Sequence, residues 1–309
     1  MGRLLLAEWL RIAARRVVRL TVLLIVAGIV VGGIAAFASS RSLSEATYQQ
    51  RVVEAKARQE AADVAIEACL QDQGVARGDE IPNEIVEQCF PPEPVGDVSD
   101  PRFDRHRLKG ILQGVSAVLA LIGWALGASL VGAEFSSRGM TTLLTWEPRR
   151  GRVFLAKAMA VLVAMAALAF GVLALVTLAM TPALTLHGAP VGADDPTVAA
   201  LAGTIGRGVA LATLAAGIGF AIATIGRNTA IALGAGFAYI IVFEYVVGSS
   251  IARWRRWLLL GNVIVFVSGE DGGGDVSGRS VTAAGLFLAA VAITMLVAAA
   301  GAFRTRDLA

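Results

Sequence analysis

Three groups of side chains in this sequence have the types and spacing to do chemistry. The densest is the stretch 132–157, GAEFSSRGMTTLLTWEPRRGRVFLAK, with Glu134 near its start and Arg138, Arg149, Arg150, Arg152 and Lys157 after it. Gly139 can break a preceding helix and Pro148 can stop a following one, which leaves 140–146 room for about two helical turns. Leu143, Leu144 and Trp146 give those turns apolar bulk that a merely wetted loop does not need. The stretch therefore predicts a short helix onto which a partner docks. The second group is Arg207 with Glu244, two ionisable residues at similar depth in apolar runs, where an unpaired charge is costly. They are predicted to pair or to line a polar route. The third is Cys69 with Cys89, the only two cysteines.

None of these groups makes an enzyme. The sequence has no Walker A motif, so the chain itself holds no ATP in a phosphate-binding loop. It has no nucleophile elbow, and its two histidines, His106 and His187, lie far apart and far from the cysteines. No metal site is expected, since a cysteine pair alone is a poor ligand set. The run 269–275, GEDGGGD, lacks a lysine and the EF-hand spacing, and predicts a turn.

The elements that must carry these residues are helices in a membrane. Of the 309 residues, 56% are hydrophobic and 17% charged, where soluble domains carry about 25% charged residues. Six apolar runs are long enough to span: 17–38, 108–132, 153–180, 205–226, 229–248 and 281–303. None alternates with period two, which disfavours a β-barrel. The fold class is thus an all-α integral membrane protein with six transmembrane helices. Basic residues set its orientation. They crowd residues 1–16, the loop 133–152 and the tail 304–309, whereas 181–204 has none and holds Asp194 and Asp195. Both termini and the loop 133–152 are therefore expected in the cytoplasm, with the chain in the inner or plasma membrane. Arg253, Arg255 and Arg256 run against this pattern, because they fall on the side assigned outside.

Residues 1–16 have the pattern of an amphipathic helix lying in the membrane interface. Glu8, Arg11, Arg15 and Arg19 fall on one side of it, to meet anionic lipid, and Leu6, Trp9, Leu10 and Ala13 on the other. Gly28 with Gly32, and Gly123 with Gly127, are small-residue pairs that permit close helix contact. The segment 39–107 is the one sizeable polar stretch, expected outside as a helical insertion. A capping box of Ser42 and Glu45 would open a helix to about Gln71, and a second short helix would begin at Pro82 and include Cys89. In an oxidising compartment Cys69 and Cys89 would form a disulfide between the two. Spans four and five meet at a tight turn, Gly226-Arg227-Asn228. The segment 249–280 is too amphipathic for an ordinary loop. Its Trp254 and Trp257 suit an interface, and its apolar run 258–267 is too short to span, so a re-entrant or interfacial hairpin is expected.

Taken together, Glu134, Gly139, Thr141 or Thr142, Leu143, Leu144, Pro148 followed by Arg149 and Arg150, and Lys157 resemble ABC-2 type transporter permeases. The interfacial helix, a glutamate in span five at Glu244, the stretch before the last span and the closing Phe303-Arg304-Thr305-Arg306-Asp307-Leu308 add to the resemblance. Two positions depart from it: Met140 follows the glycine, and Arg149 precedes Arg150 where the family has serine. The resemblance implies that 140–146 is a coupling helix seated on a separate ABC ATPase subunit. Glu134, Arg138, Arg149 and Arg150 would be the polar contacts and Trp146 part of the docked face. Mg-ATP would belong to that partner and no cofactor to this chain. It also implies a second permease copy or paralogue, no nucleic-acid partner, and export of a substrate that the Ala-, Val-, Leu- and Gly-rich spans suggest is apolar or amphipathic. The alternative is a non-transporting scaffold or sensor that works through 39–107, for which an apolar helix at 140–146 has no use.

Overall fold

Apolar segments this long must satisfy their own backbone N–H and C=O groups once in hydrocarbon, and a helix does so within one segment. A computed structural model of the chain describes residues 8, 9, 11, 14–73, 89, 100–137, 145, 149–192, 194–250, 252–271 and 278–305. In chain order its helices are α1 (Arg16–Ser39), α2 (Glu45–Asp72), α3 (Arg105–Ser136), α4 (Arg150–Leu186), α5 (Val198–Gly226), α6 (Thr229–Tyr239), α7 (Leu259–Ser268) and α8 (Val281–Thr305). Helix α6 continues as a π-helix over Ile240–Val247. Counting that continuation with α6, six helices are long and apolar enough to cross a membrane: α1, α3, α4, α5, α6 and α8. Among the described residues the β-type pairing is confined to an isolated bridge between Phe103 and Gly188. The all-α membrane architecture expected from the sequence is therefore the one observed.

The chain divides into two compact units. The first comprises Met1–Gly33, Arg105–Thr181 and Asp194–Ala309. Its centre is the contact of α3 with α5. Lipid tails are as apolar as leucine, so spans are held together by close approach rather than by a hydrophobic drive. Glycine supplies that approach. A Cβ on Gly123 would stand 2.6 Å from the Ala212 carbonyl oxygen, and one on Gly127 would overlap the carbonyl oxygen of Ala216. On α5, Gly219 returns the contact against the Trp124 carbonyl. The other expected pair behaves differently: Gly28 and Gly32 have nothing within 4 Å, and α1 instead approaches α4 at Gly33, opposite Ala179. Helix α5 ends at Arg227 in the left-handed region (φ 53°), and Asn228 caps α6 by accepting from the Ala230 N–H at 2.8 Å. That is the tight turn expected between spans four and five.

Helix α7 has ten residues, too few to span. Its Val267 packs with Leu211 of α5 and Leu288 of α8. Two short turns, Gly248–Ser250 and the 3-10 helix Ala252–Trp257, lead into it.

The second unit comprises Ile34–Asp104 and Pro182–Ala193. Ser44, not Ser42, caps α2, with its hydroxyl accepting from the Thr47 N–H at 3.2 Å. The expected capping box of Ser42 and Glu45 is therefore not formed: the cap lies two residues later, and Glu45 accepts from Arg102. The buried Arg102 guanidinium donates to Glu45 at 2.7 Å and to Asp100 at 2.8 Å, and stands 4.2 Å from the centre of the Tyr48 ring. Cys69, near the far end of α2, is disulfide-bonded to Cys89. The rest of the second short helix expected from Pro82 lies outside the described residues.

Candidate functional site

The stretch 132–157 leaves α3 after Glu134 and enters α4 before Lys157. Of the residues expected to contact a partner, Arg138, Gly139, Thr141, Leu143, Leu144, Trp146 and Pro148 lie outside the described residues. Glu134, Arg149 and Arg150 are described. Arg149 is exposed, and its carbonyl accepts from the N–H groups of Arg152 and Val153 as α4 begins. Arg304, at the end of α8, lies against the same turn, 3.0 Å from where a Cβ on Gly151 would be.

The two stems of the stretch are joined by an ionic cluster. Lys157 Nζ lies 2.6 Å from Glu134 Oε2 and 3.0 Å from Glu8 Oε1. Arg15 donates to Glu134 Oε1 at 3.2 Å and to the Ser129 carbonyl, and Arg11 donates to Glu8 at 3.1 Å. The Lys157 side chain is 5% exposed and that of Glu8 7%, against 17% for Glu134, 28% for Arg15 and 57% for Arg11. Leu130, Val131, Ala160, Val161 and Phe220 wall the cleft.

So apolar a setting makes an unpaired charge expensive, and the ammonium is held between two carboxylates that both accept from it. The cluster's chemistry is mechanical: it binds three separate chain segments at one point, the N-terminal segment, the end of α3 and the start of α4.

Glu134 and Lys157 were legible in the sequence as the ends of the stretch, but not as partners. The amphipathic pattern places Glu8 and Arg15 on a helix face turned toward lipid headgroups. The structure turns that face onto Glu134 and Lys157, and leaves Trp9 exposed. The available signal was Glu8 itself, the lone acid in a strongly basic N-terminal segment.

Arg207 and Glu244 do not meet. Instead they stand at opposite ends of α7. Glu244 Oε1 accepts from the Leu260 N–H at 2.9 Å, and the Tyr239 hydroxyl accepts from the Leu259 N–H at 3.2 Å. Leu258 at the N-cap offers no side-chain acceptor, so side chains from span five satisfy the first donors of α7. At the other end, Gly269 closes α7 in the left-handed region (φ 70°), and the Arg207 guanidinium lies where a Cβ on Gly269 would be. Arg207 also donates to Thr204 Oγ1 at 3.1 Å. A carboxylate at the N-terminus of a helix and a cation at its C-terminus both oppose its macrodipole favourably. The two charges thus act on a short helix between them rather than on each other.

A family model described as ABC-2 family transporter protein matches residues 10–263, which include α1, Arg11, Arg15, Glu134 and Lys157 of the ionic cluster and the start of α7. No curated protein and no solved structure matches the chain. The chain belongs to the ABC-2 family of transporter proteins: it is a multi-pass membrane protein and a permease subunit of an ABC transporter.

Proposed function

We propose that this permease takes its driving force from a separate ATPase subunit, which docks on the stretch 138–148, and that it exports an apolar or amphipathic substrate. Both termini and the loop 133–152 face the cytoplasm, where basic residues concentrate. Mg-ATP binds the partner, since this chain has no phosphate-binding loop. Two permease copies, identical or paralogous, enclose the pathway.

The observation that carries the reading is the cluster of Glu8, Arg15, Glu134 and Lys157. A partner that changes conformation can shift the spans only if it interacts differently with their alternative arrangements. A flexible loop would dissipate that difference. Here both stems of the loop and the N-terminal segment are tied at one buried ammonium, so displacement of the loop is passed to α3 and α4 together. The scarcity of polar side chains in the spans supports the substrate class.

The test is the ATP hydrolysis rate of the purified complex. Lys157→Met and the milder Arg15→Gln should each leave the ATPase bound but bring its rate toward that of the isolated subunit, Lys157→Met further. A rate unchanged in both variants, with the complex intact, would overturn the role given to this cluster.

A further inference from the structure

The arginines that run against the charge pattern, in ARWRRW at 252–257, are not explained by transport coupling. We infer that Arg256 and Arg279, on Trp257, form a headgroup site for an anionic phospholipid, at the end of the bundle where span five leaves and span six enters.

The site is built from two segments that the chain brings together there. Arg256 and Trp257 end the 3-10 turn before α7, and Arg279 lies two residues before α8. The Arg256 guanidinium carbon stands 5.6 Å from the centre of the Trp257 ring and that of Arg279 5.8 Å from it. Arg279 also lies 5.0 Å from the Phe287 ring, which meets Trp257 at 6.2 Å. Its Nη1 donates to the Arg256 carbonyl, which fixes the fork, while its Nε is buried with no hydrogen-bond partner.

Charge identifies the ligand. Two cations share one indole, and among the described residues neither is within ion-pair distance of a carboxylate. Among the described residues, the acids of the same region are engaged elsewhere: Glu244 by the Leu260 N–H, Glu270 by Lys109 at 2.7 Å, and Asp271 by the Val281 N–H. An anion would relieve the repulsion between the two guanidiniums, and a phosphate can accept from the guanidinium N–H groups that the carbonyl contact leaves open. The surroundings identify that anion as part of a lipid. Trp254 and Trp257 are both more than half exposed, as indoles at a membrane interface are. Helix α8, whose Phe287 meets Trp257, also exposes Leu286, Ile293 and Val297 along one side, apolar surface for an acyl chain. The inference needs only that the chain lies in a bilayer, and is independent of the ATPase reading.

The experiment is lipid binding to the delipidated full-length protein in mild detergent, followed by native mass spectrometry. The ligands are phosphatidylglycerol, phosphatidylcholine and inorganic phosphate. The native chain should retain phosphatidylglycerol well above phosphatidylcholine. Arg256→Gln with Arg279→Gln should weaken phosphatidylglycerol about 30-fold, on the basis of roughly five-fold per guanidinium near an anionic headgroup. Arg51→Gln with Arg58→Gln, an equal charge loss on exposed positions of α2, should leave binding unchanged. Lysine at both sites should recover most of it. If the double variant is not monodisperse, Arg256→Gln alone should still cost about five-fold. Equal retention by the native chain and the glutamine variants would overturn the site. Full displacement of the lipid by millimolar inorganic phosphate would overturn its assignment to a lipid.

Discussion

Lys157 offers the sharpest test of the ionic cluster, because among the described residues it is the cation that the Glu8 and Glu134 carboxylates share. Replacing it with methionine keeps the length and the apolar stem, and strands Glu8 and Glu134. Glu134 retains Arg15, but among the described residues Glu8 retains only Arg11, whose side chain is 57% exposed and whose attraction is therefore largely screened. Breaking a buried pair from one side costs about 3–5 kcal/mol, so Lys157→Met should destabilise the chain by that order. Glu8→Gln is milder, since the amide still offers an acceptor and Lys157 keeps Glu134 at 2.6 Å; it should cost about 1 kcal/mol. The double variant is the informative one. With the Glu8 carboxylate gone, loss of the lysine strands one charge fewer, so the combined cost should fall short of additivity by about 1–3 kcal/mol. The assay is unfolding by sodium dodecyl sulfate in mixed micelles, followed by tryptophan fluorescence across the four chains of the cycle. Additivity within about 0.5 kcal/mol would mean that the two side chains do not share a site, and would refute the reasoning.

Other consequences are checked more simply. Glu244→Leu removes an acceptor from the first turn of α7 and should cost about 1 kcal/mol, whereas Glu244→Gln should cost less; hydrogen exchange of the Leu259 and Leu260 amides separates the two. Gly127→Ala must push α3 off the Ala216 carbonyl and should destabilise by about 1–3 kcal/mol, while Gly28→Ala, in open space, should be neutral or stabilising by up to about 1 kcal/mol in the same unfolding assay. Hydrogen bonds from Gln49 and Arg102 hold the Glu45 carboxyl below its ordinary 4.5. A carboxylate depressed in the fold contributes stability that is fully present above the unfolded value and is lost as pH falls through the folded one. Protease resistance of α2 should therefore decline as pH drops below about 4.5, and Glu45→Gln should flatten that decline.

What the sequence made legible was whatever is encoded by local spacing. Runs of apolar residues located the spans, and the turn at Gly226-Arg227-Asn228 follows from residue types that end one helix and cap the next. The pair Gly123 and Gly127 lies at the contact with α5, yet Gly28 and Gly32, with the same spacing, touch nothing. A small-residue pair says that close approach is permitted, not that a partner is there. Pairing across long separations was not legible. Arg15 and Glu134 are 119 residues apart and Glu8 and Lys157 are 149 apart, so no periodicity links them. The same holds for Arg102, which pairs with Glu45 across 57 residues, while Ser44 caps α2. Arg207 and Glu244 show a different failure. Two charges at similar depth suggested a pair or a shared polar route; they do not pair, and the orphan backbone donors of a short half-buried helix compete for a carboxylate as effectively as a cation does.

The central claim is that this permease is driven through the stretch between Glu134 and Lys157, and one measurement addresses it most directly. A tagged copy of the full chain is purified from its native membranes in mild detergent, and the proteins recovered with it in stoichiometric amount are identified. The account predicts one ATPase subunit per chain, retained in Lys157→Met and lost in Leu144→Pro, which breaks the helix expected at 140–146. Recovery of the chain without an ATPase, or with a protein held by the polar segment 39–107 instead, would contradict it and favour a scaffold or sensor.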